Sequence, residues 1–112
     1  MRGRGLQIKK SNGDVVIIMP RGRIDLSNSH LLREKLQLLY EEGFNTITLD
    51  FNLVTSIDSS GLGRLLLFQK RLAERGGELR IINITSGYIR RMFEMIDLGK
   101  VINIEDSGGG DD

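Results

Sequence analysis

The sequence predicts an α/β domain built on a mixed sheet of four to five strands. Strand-like apolar segments alternate with leucine-rich segments of helical period, as in parallel sheets joined by helical crossovers. The dipeptide Asn12-Gly13 joins the first two strand-like segments, and it predicts an antiparallel hairpin because both residues tolerate positive φ. The length of 112 residues fits a single compact domain. The predicted element order is therefore β-β-α-β-α-β-α-β.

The first two strands are predicted at residues 6–10 and 15–19. The first alternates apolar and polar residues, as a half-buried strand does, and the second is a continuous apolar run typical of an interior strand. Pro20 ends the second strand. The following segment, Gly22-Arg23-Ile24-Asp25, is expected to be a loop.

The first helix is predicted over about residues 29–42, capped by Ser27 or Asn28 and ended by Gly43. Its apolar stripe has helical spacing and consists of Leu32, Leu36, Leu39 and Tyr40. The next strand, residues 46–51, alternates between two sets, which are Ile47, Leu49 and Phe51 on one face and Thr46, Thr48 and Asp50 on the other. This alternation predicts a sheet with one covered face and one more open face.

Two more helices and two more strands are predicted in the second half. Strands are expected at residues 78–84 and 101–104. The second helix spans about residues 60–75, ends at Gly76-Gly77, and has an apolar face of Leu62, Leu65, Leu66, Leu72 and Ala73. The third is capped by Thr85 or Ser86, ends at Gly99, and has an apolar face of Ile89, Met92, Phe93 and Ile96.

Composition disfavours several classes of function. Lys and Arg total 16 and Asp and Glu 15, so the net charge of +1 lacks the basic excess of most nucleic-acid-binding proteins. The absence of cysteine removes thiolate metal sites and Cys nucleophiles. No apolar run approaches the roughly 20 residues of a membrane span, and no signal peptide is recognised. We therefore expect a cytoplasmic domain with its core at about residues 6–105 and flexible tails at 1–5 and 106–112.

The most informative segment is Ser56-Ile57-Asp58-Ser59-Ser60-Gly61-Leu62-Gly63, where a strand is predicted to give way to a helix. Backbone N–H groups at a helix start are unpaired and slightly positive. A serine there can cap the helix, bind an anion or accept a phosphoryl group. These residues alone leave the three roles open.

Enzyme motifs fit this segment poorly. A dinucleotide fingerprint requires a third glycine at the position of Leu66, and a phosphate-binding loop requires a Gly-Lys-Ser/Thr ending that is absent. A hydrolase elbow has the pattern G-x-S-x-G and needs a histidine base, whereas the single histidine, His30, falls at the predicted start of the first helix. A small nucleotide-binding or hydrolysing enzyme is therefore only a remote alternative, and no cofactor is expected.

The segment Ile57-Asp58-Ser59-Ser60-Gly61-Leu62-Gly63 resembles the phosphorylation motif of STAS domains, and most closely that of free-standing bacterial anti-sigma factor antagonists. Gly22-Arg23-Ile24-Asp25 matches the G-x-[ILV]-D loop of this family, and residues 92–95 and 98–101 match its closing region. The resemblance covers about residues 6–105. It implies a mixed sheet of four or five strands with three or more helices, mainly on one face.

The resemblance implies a binding switch rather than an enzyme. In this family the unphosphorylated antagonist binds an anti-sigma factor that is also a serine kinase, which frees the sigma factor. The kinase phosphorylates the serine directly after the aspartate, here Ser59, and a PP2C-type phosphatase resets the switch. The implied partner-binding residues are Asp25, Asp58, Ser59, Ser60, Gly61, Gly63 and Arg64. Neither a metal, a membrane nor direct nucleic-acid contact is implied.

Two departures from the family pattern affect this expectation. Arg64 stands where relatives often have an apolar or small residue, so it is expected to alter partner choice or soften the effect of a phosphate. The arginine-rich N-terminus is also untypical. The alternative within the same fold is a STAS subunit of a sensory or lipid-transport complex that is not phosphorylated.

Overall fold

The computed structural model describes residues 7–105, where seven strands and three helices follow one another. In chain order these are β1 (Gln7–Asn12), β2 (Val15–Met19), β3 (Arg21–Ile24), α1 (Ser29–Glu41), β4 (Thr46–Asp50), β5 (Leu53–Ile57), α2 (Ser59–Glu74), β6 (Glu78–Ile82), α3 (Gly87–Met95) and β7 (Asn103–Glu105). A single 3₁₀ turn, Leu98–Lys100, separates α3 from β7. The predicted α/β class is confirmed. Both expected tails, and Leu6 of the first predicted strand, lie outside the described residues.

The main sheet has five strands in the order β1-β2-β4-β6-β7. β1 and β2 are antiparallel, and the other neighbours are parallel, as the crossovers predict. The predicted hairpin is confirmed, but its central residues are Gly13 and Asp14, because Asn12 pairs with Val15 inside the ladder. Only Gly13 has positive φ, at +66°, which is the requirement of a type II′ turn.

One face of this sheet forms the main core. The register aligns Val16 with Ile47 and then Leu79, and these three side chains are fully buried. α1 and α2 contribute buried leucine and phenylalanine side chains to the same apolar cluster. These are Leu32, Leu36 and Leu39 from α1, and Leu65, Phe68 and Leu72 from α2. The apolar stripe predicted for α1 is thus confirmed, with Tyr40 partly buried beside it.

The prediction of an open second face on β4 is wrong. Thr48 is 3% exposed and Asp50 is 1% exposed. β4 is the central strand, so Thr48 lies between Ile17 of β2 and Arg80 of β6, whose longer side chains point to the same face. The Asp50 carboxylate accepts a hydrogen bond of 2.9 Å from the Asn52 amide at the end of the strand.

A second, two-stranded sheet was not predicted. β3 and β5 pair in parallel, with Ile24 opposite Ile57, so residues 21–24 form a strand rather than the expected loop. Glycine and two arginines weaken the strand signal of this segment, and its partner lies about thirty residues away, so the sequence gives little local indication of the pairing. This small sheet positions the site, because its strands lead into Asp25 and Asp58.

The start and the buried face of α2, and the end of α3, also differ from prediction. α2 begins at Ser59, and its buried face uses Phe68, whereas the expected core residues Leu66 and Ala73 are exposed. α3 ends at Met95 rather than at Gly99, because Asp97 adopts the left-handed conformation with φ of +55°. The expected end at Gly43 is confirmed, with φ of +96°.

Candidate functional site

A carboxylate caps α2 at the point where β5 ends. Asp58 has an extended backbone, and its Oδ1 accepts hydrogen bonds from the amides of Ser60 at 2.9 Å and Gly61 at 3.2 Å. The same oxygen accepts a bond of 2.5 Å from the Ser60 hydroxyl. Two of the unpaired N–H groups at the helix start are therefore satisfied by this one side chain.

These donors change the acidity of Asp58. The Ser60 hydroxyl, followed by the amides of Gly61, Ser60 and Leu26, holds the pKa of the Asp58 carboxyl below its ordinary value of 3.8, although partial desolvation acts in the opposite direction. Each donor favours the ionised form. Asp58 is therefore ionised at neutral pH.

The lowered pKa of Asp58 makes the stability of the domain depend on pH. The ionised carboxylate stabilises the folded state fully above about pH 4, and this contribution is lost as the pH falls through the folded-state pKa. Asp58→Asn keeps a capping side chain but removes this titration. We expect the free energy of unfolding, measured with urea, to fall more steeply with acid in the wild type than in the variant. Parallel acid limbs for the two proteins would contradict the assigned hydrogen bonds.

The second oxygen of Asp58 ties α2 to the loop after β3. The Leu26 amide donates a hydrogen bond of 3.1 Å to Asp58 Oδ2. The Asp25 loop and the Asp58 segment are thus adjacent. Asp25 itself is half-buried, and its Oδ1 accepts bonds from the Ser27 amide and hydroxyl.

The cap of α1 differs from the prediction of a Ser27 or Asn28 side-chain cap. Asn28 occupies the capping position, but its side chain makes no capping hydrogen bond to the helix. It instead accepts a bond from the Asp25 amide at 2.9 Å and donates one to the Arg23 carbonyl at 2.8 Å. The Asp25 carbonyl accepts a bond of 2.7 Å from the Ser29 amide at the helix start. Asn28 therefore fixes the shape of the loop.

The two serines of the motif differ in their availability. The Ser60 hydroxyl is committed to Asp58, and Ser60 is half-buried. Ser59 is exposed as the first residue of α2, and its hydroxyl has no hydrogen-bond partner within residues 7–105. Ser59 is thus the serine whose oxygen an incoming reagent can reach without breaking an existing bond.

The two glycines of the motif have different surroundings. Gly61 is buried, and a Cβ atom there would lie 2.7 Å from Ile57 Cγ1 and 2.8 Å from Ile24 Cγ2. Gly63 is exposed, and a Cβ there would have no atom within 4 Å. Gly61 therefore lets α2 pack closely on the small sheet, whereas Gly63 leaves a flat area on the outer side of the helix.

Arg64 does not share the face of Ser59. A residue five positions along a helix is rotated by roughly 140°, whereas Gly63 lies within roughly 40° of Ser59. Arg64 is half-buried, and its Nε is buried with no hydrogen-bond partner among the described residues. The Arg64 side chain therefore leaves α2 from a different side of the helix than Ser59.

The structure also identifies residues that the sequence analysis missed. Leu26 and Asn28 help to form the surface beside Ser59, through the Asp58 bond and the loop bonds respectively. The available signal was a single leucine within the polar run Asp25-Leu26-Ser27-Asn28. Across residues 7–105 no group of three or more His, Cys, Asp or Glu residues could hold a metal ion, and no helix could cross a membrane.

The match to known families decides the classification. Residues 7–109 match the model of the STAS domain. The chain belongs to the STAS family. The anti-sigma-B factor antagonist of Bacillus subtilis is 30% identical over 105 residues, which cover 94% of this chain and 94% of that protein.

Solved structures agree with this classification. A candidate anti-sigma factor antagonist from Thermotoga maritima superposes with a TM-score of 0.83 at 26% identity, over 94% of this chain and 89% of that one. The anti-sigma factor antagonist SpoIIAA, in its unphosphorylated form, gives a TM-score of 0.77 at 25% identity, over 93% of this chain and 89% of that one. The predicted family and its mixed α/β fold are confirmed.

Proposed function

We propose that this STAS domain is an anti-sigma factor antagonist whose binding to a serine-kinase anti-sigma factor is switched off by phosphorylation of Ser59. The Bacillus subtilis relative, at 30% identity over 94% of this chain, is named an anti-sigma-B factor antagonist. The observation that carries the proposal is the contrast between the two serines. Ser60 Oγ is held by Asp58, whereas Ser59 Oγ is exposed and unbonded within the described residues.

Phosphorylation of Ser59 is compatible with the fold. A phosphoserine carries about −1.5 to −2 charges, and the start of α2 is the positive end of the helix dipole. Asp58 repels the phosphate, but both groups face solvent, where the repulsion is screened. The phosphate therefore changes the recognition surface while the helix stays intact.

The proposed partners follow from this switch. They are the anti-sigma factor serine kinase, and a PP2C-type phosphatase that removes the phosphate. The domain acts by occupying its partner rather than by catalysis, and it works in the cytoplasm, where sigma factors act. The proposed contact surface is centred on Asp25, Asp58, Ser59, Ser60 and Gly63, with Gly61 packed beneath it. Arg64, on the adjoining side of α2, is proposed as a contact at the margin of this surface.

Site mapping tests the phosphoacceptor. Incubation with Mg-ATP and the serine-kinase anti-sigma factor of the same organism, followed by intact-mass spectrometry, should add one phosphate to the wild type and to Ser60→Ala. Ser59→Ala should add none. One phosphate on Ser59→Ala and none on Ser60→Ala would show that Ser60, not Ser59, is the phosphoacceptor. An unmodified wild type would overturn the phosphorylation switch.

A further inference from the structure

Leu26 is an unusually exposed leucine beside the proposed phosphoacceptor. Its side chain is 79% exposed, although it lies in a short loop of otherwise polar residues. Exposing an isobutyl group to water is unfavourable, and nothing in the described fold uses it. This apolar side chain is therefore available to a partner that binds beside Ser59.

The loop that carries Leu26 is rigidly held. The Asn28 amide bonds to the Asp25 carbonyl at 3.0 Å, and the Ser27 amide bonds to Asp25 Oδ1 at 3.0 Å. The Asn28 side chain bridges Arg23 and Asp25, as described above. With the Leu26 amide bonded to Asp58, the loop presents its leucine in a fixed direction. A preorganised apolar group loses little entropy when a partner covers it.

Leu26 also lies within the area that a kinase acting on Ser59 must cover. The Leu26 amide lies 3.1 Å from Asp58 Oδ2, and the Asp58 side chain and one peptide link lead from that oxygen to Ser59. The Leu26 backbone therefore lies within roughly 10 Å of Ser59. A specific interface covers about 800 Å² on each partner, which corresponds to a radius of roughly 16 Å. A partner centred on Ser59 therefore covers Leu26 as well.

We infer that Leu26 is an apolar anchor for the partner kinase, which has an apolar recess next to the cleft that receives the Ser59 hydroxyl. This inference rests on the proposed function, since it names a further contact of the same switch. Recognition then has two parts. Leu26 contributes affinity in both phosphorylation states, and a phosphate on Ser59 adds the negative charge that ends binding.

Three variants test the anchor. Leu26→Ala keeps the backbone bond to Asp58 but removes the apolar group, so we expect the Kd for the kinase to rise roughly tenfold or more. Leu26→Met should retain most of the affinity. Leu38→Ala, which truncates a 48% exposed leucine near the far end of α1, should leave the Kd unchanged. Both Leu26 variants should melt like the wild type, because the Leu26 side chain is 79% exposed in the free domain.

Phosphorylation kinetics give a second readout. With the antagonist as substrate, Leu26→Ala should raise KM and leave kcat unchanged, because the lost contact is the same in the ground and transition states. If the wild type binds the kinase and Leu26→Ala has the same Kd and KM, Leu26 is not an anchor, and the proposed function still stands. A wild type that neither binds the kinase nor is phosphorylated would overturn both.

Discussion

Ser59→Asp should bind the serine-kinase anti-sigma factor about a hundredfold more weakly than the wild type. The substitution places a fixed carboxylate at the exposed start of α2, beside the existing charge of Asp58. Burying an unpaired anion in an interface costs several kcal/mol, and about 3 kcal/mol accounts for a hundredfold loss of affinity. Calorimetric titration of the variant into the kinase measures this difference.

Two controls distinguish the effect of a negative charge at Ser59 from the effect of losing the serine or of adding a charge elsewhere. Ser59→Ala should bind like the wild type and stay bound in Mg-ATP, because it has no hydroxyl to phosphorylate. Ala73→Glu adds a negative charge on the exposed surface near the other end of the same helix, roughly 20 Å away, and should leave the Kd unchanged. Equal affinities for Ser59→Asp and the wild type would contradict the switch.

Gly61→Val should lower the free energy of unfolding by about 2–3 kcal/mol. The first added carbon alone would lie 2.7 Å from Ile57 and 2.8 Å from Ile24, and both contacts are to branch atoms close to the backbone of buried residues. Overpacking of this kind typically costs about 1–3 kcal/mol, and the second methyl group places valine at the upper end. The melting temperature should fall by roughly 10 °C or more.

Gly63→Val is the matched control for this prediction. It makes the same substitution two residues further along the same helix, so helix propensity changes equally at the two positions. No atom lies within 4 Å of the added Cβ, and stability should be unchanged or slightly higher. Equal destabilisation of the two variants in thermal unfolding would show that the close packing of Gly61 is not the cause.

Local signals in the sequence predicted most of the fold. The leucines of α1 and the glycine after it define that helix, and the apolar run of β2 defines an interior strand, because both signals depend only on neighbours in the chain. The pairing of β3 with β5 depends on contacts between distant segments, and a four-residue strand containing glycine and arginine has no periodicity to indicate it. The burial of Thr48 likewise depends on side chains of the neighbouring strands.

The capped start of α2 was predicted from the sequence, but its hydrogen bonds were not. The order of residues 58–63 indicated a capped helix start with a spare hydroxyl, and the structure assigns the cap to Asp58 and the bound hydroxyl to Ser60. The serine hydroxyl that bonds to the Asp58 carboxylate is decided by the side-chain rotamers of Asp58, Ser59 and Ser60. The order of these residues in the sequence does not indicate their rotamers. The link from Asp58 to Leu26 joins residues 32 positions apart, so it required the folded chain.

The most direct test of the switch compares the phosphorylated and unphosphorylated wild type. Stoichiometric phosphorylation of Ser59 should raise the Kd for the kinase more than a hundredfold in calorimetric titration, while the circular dichroism spectra of the two forms remain nearly identical. Equal affinities would contradict the account. A large loss of helical signal on phosphorylation would also contradict it, because the charge would then act by unfolding α2 rather than by changing its surface.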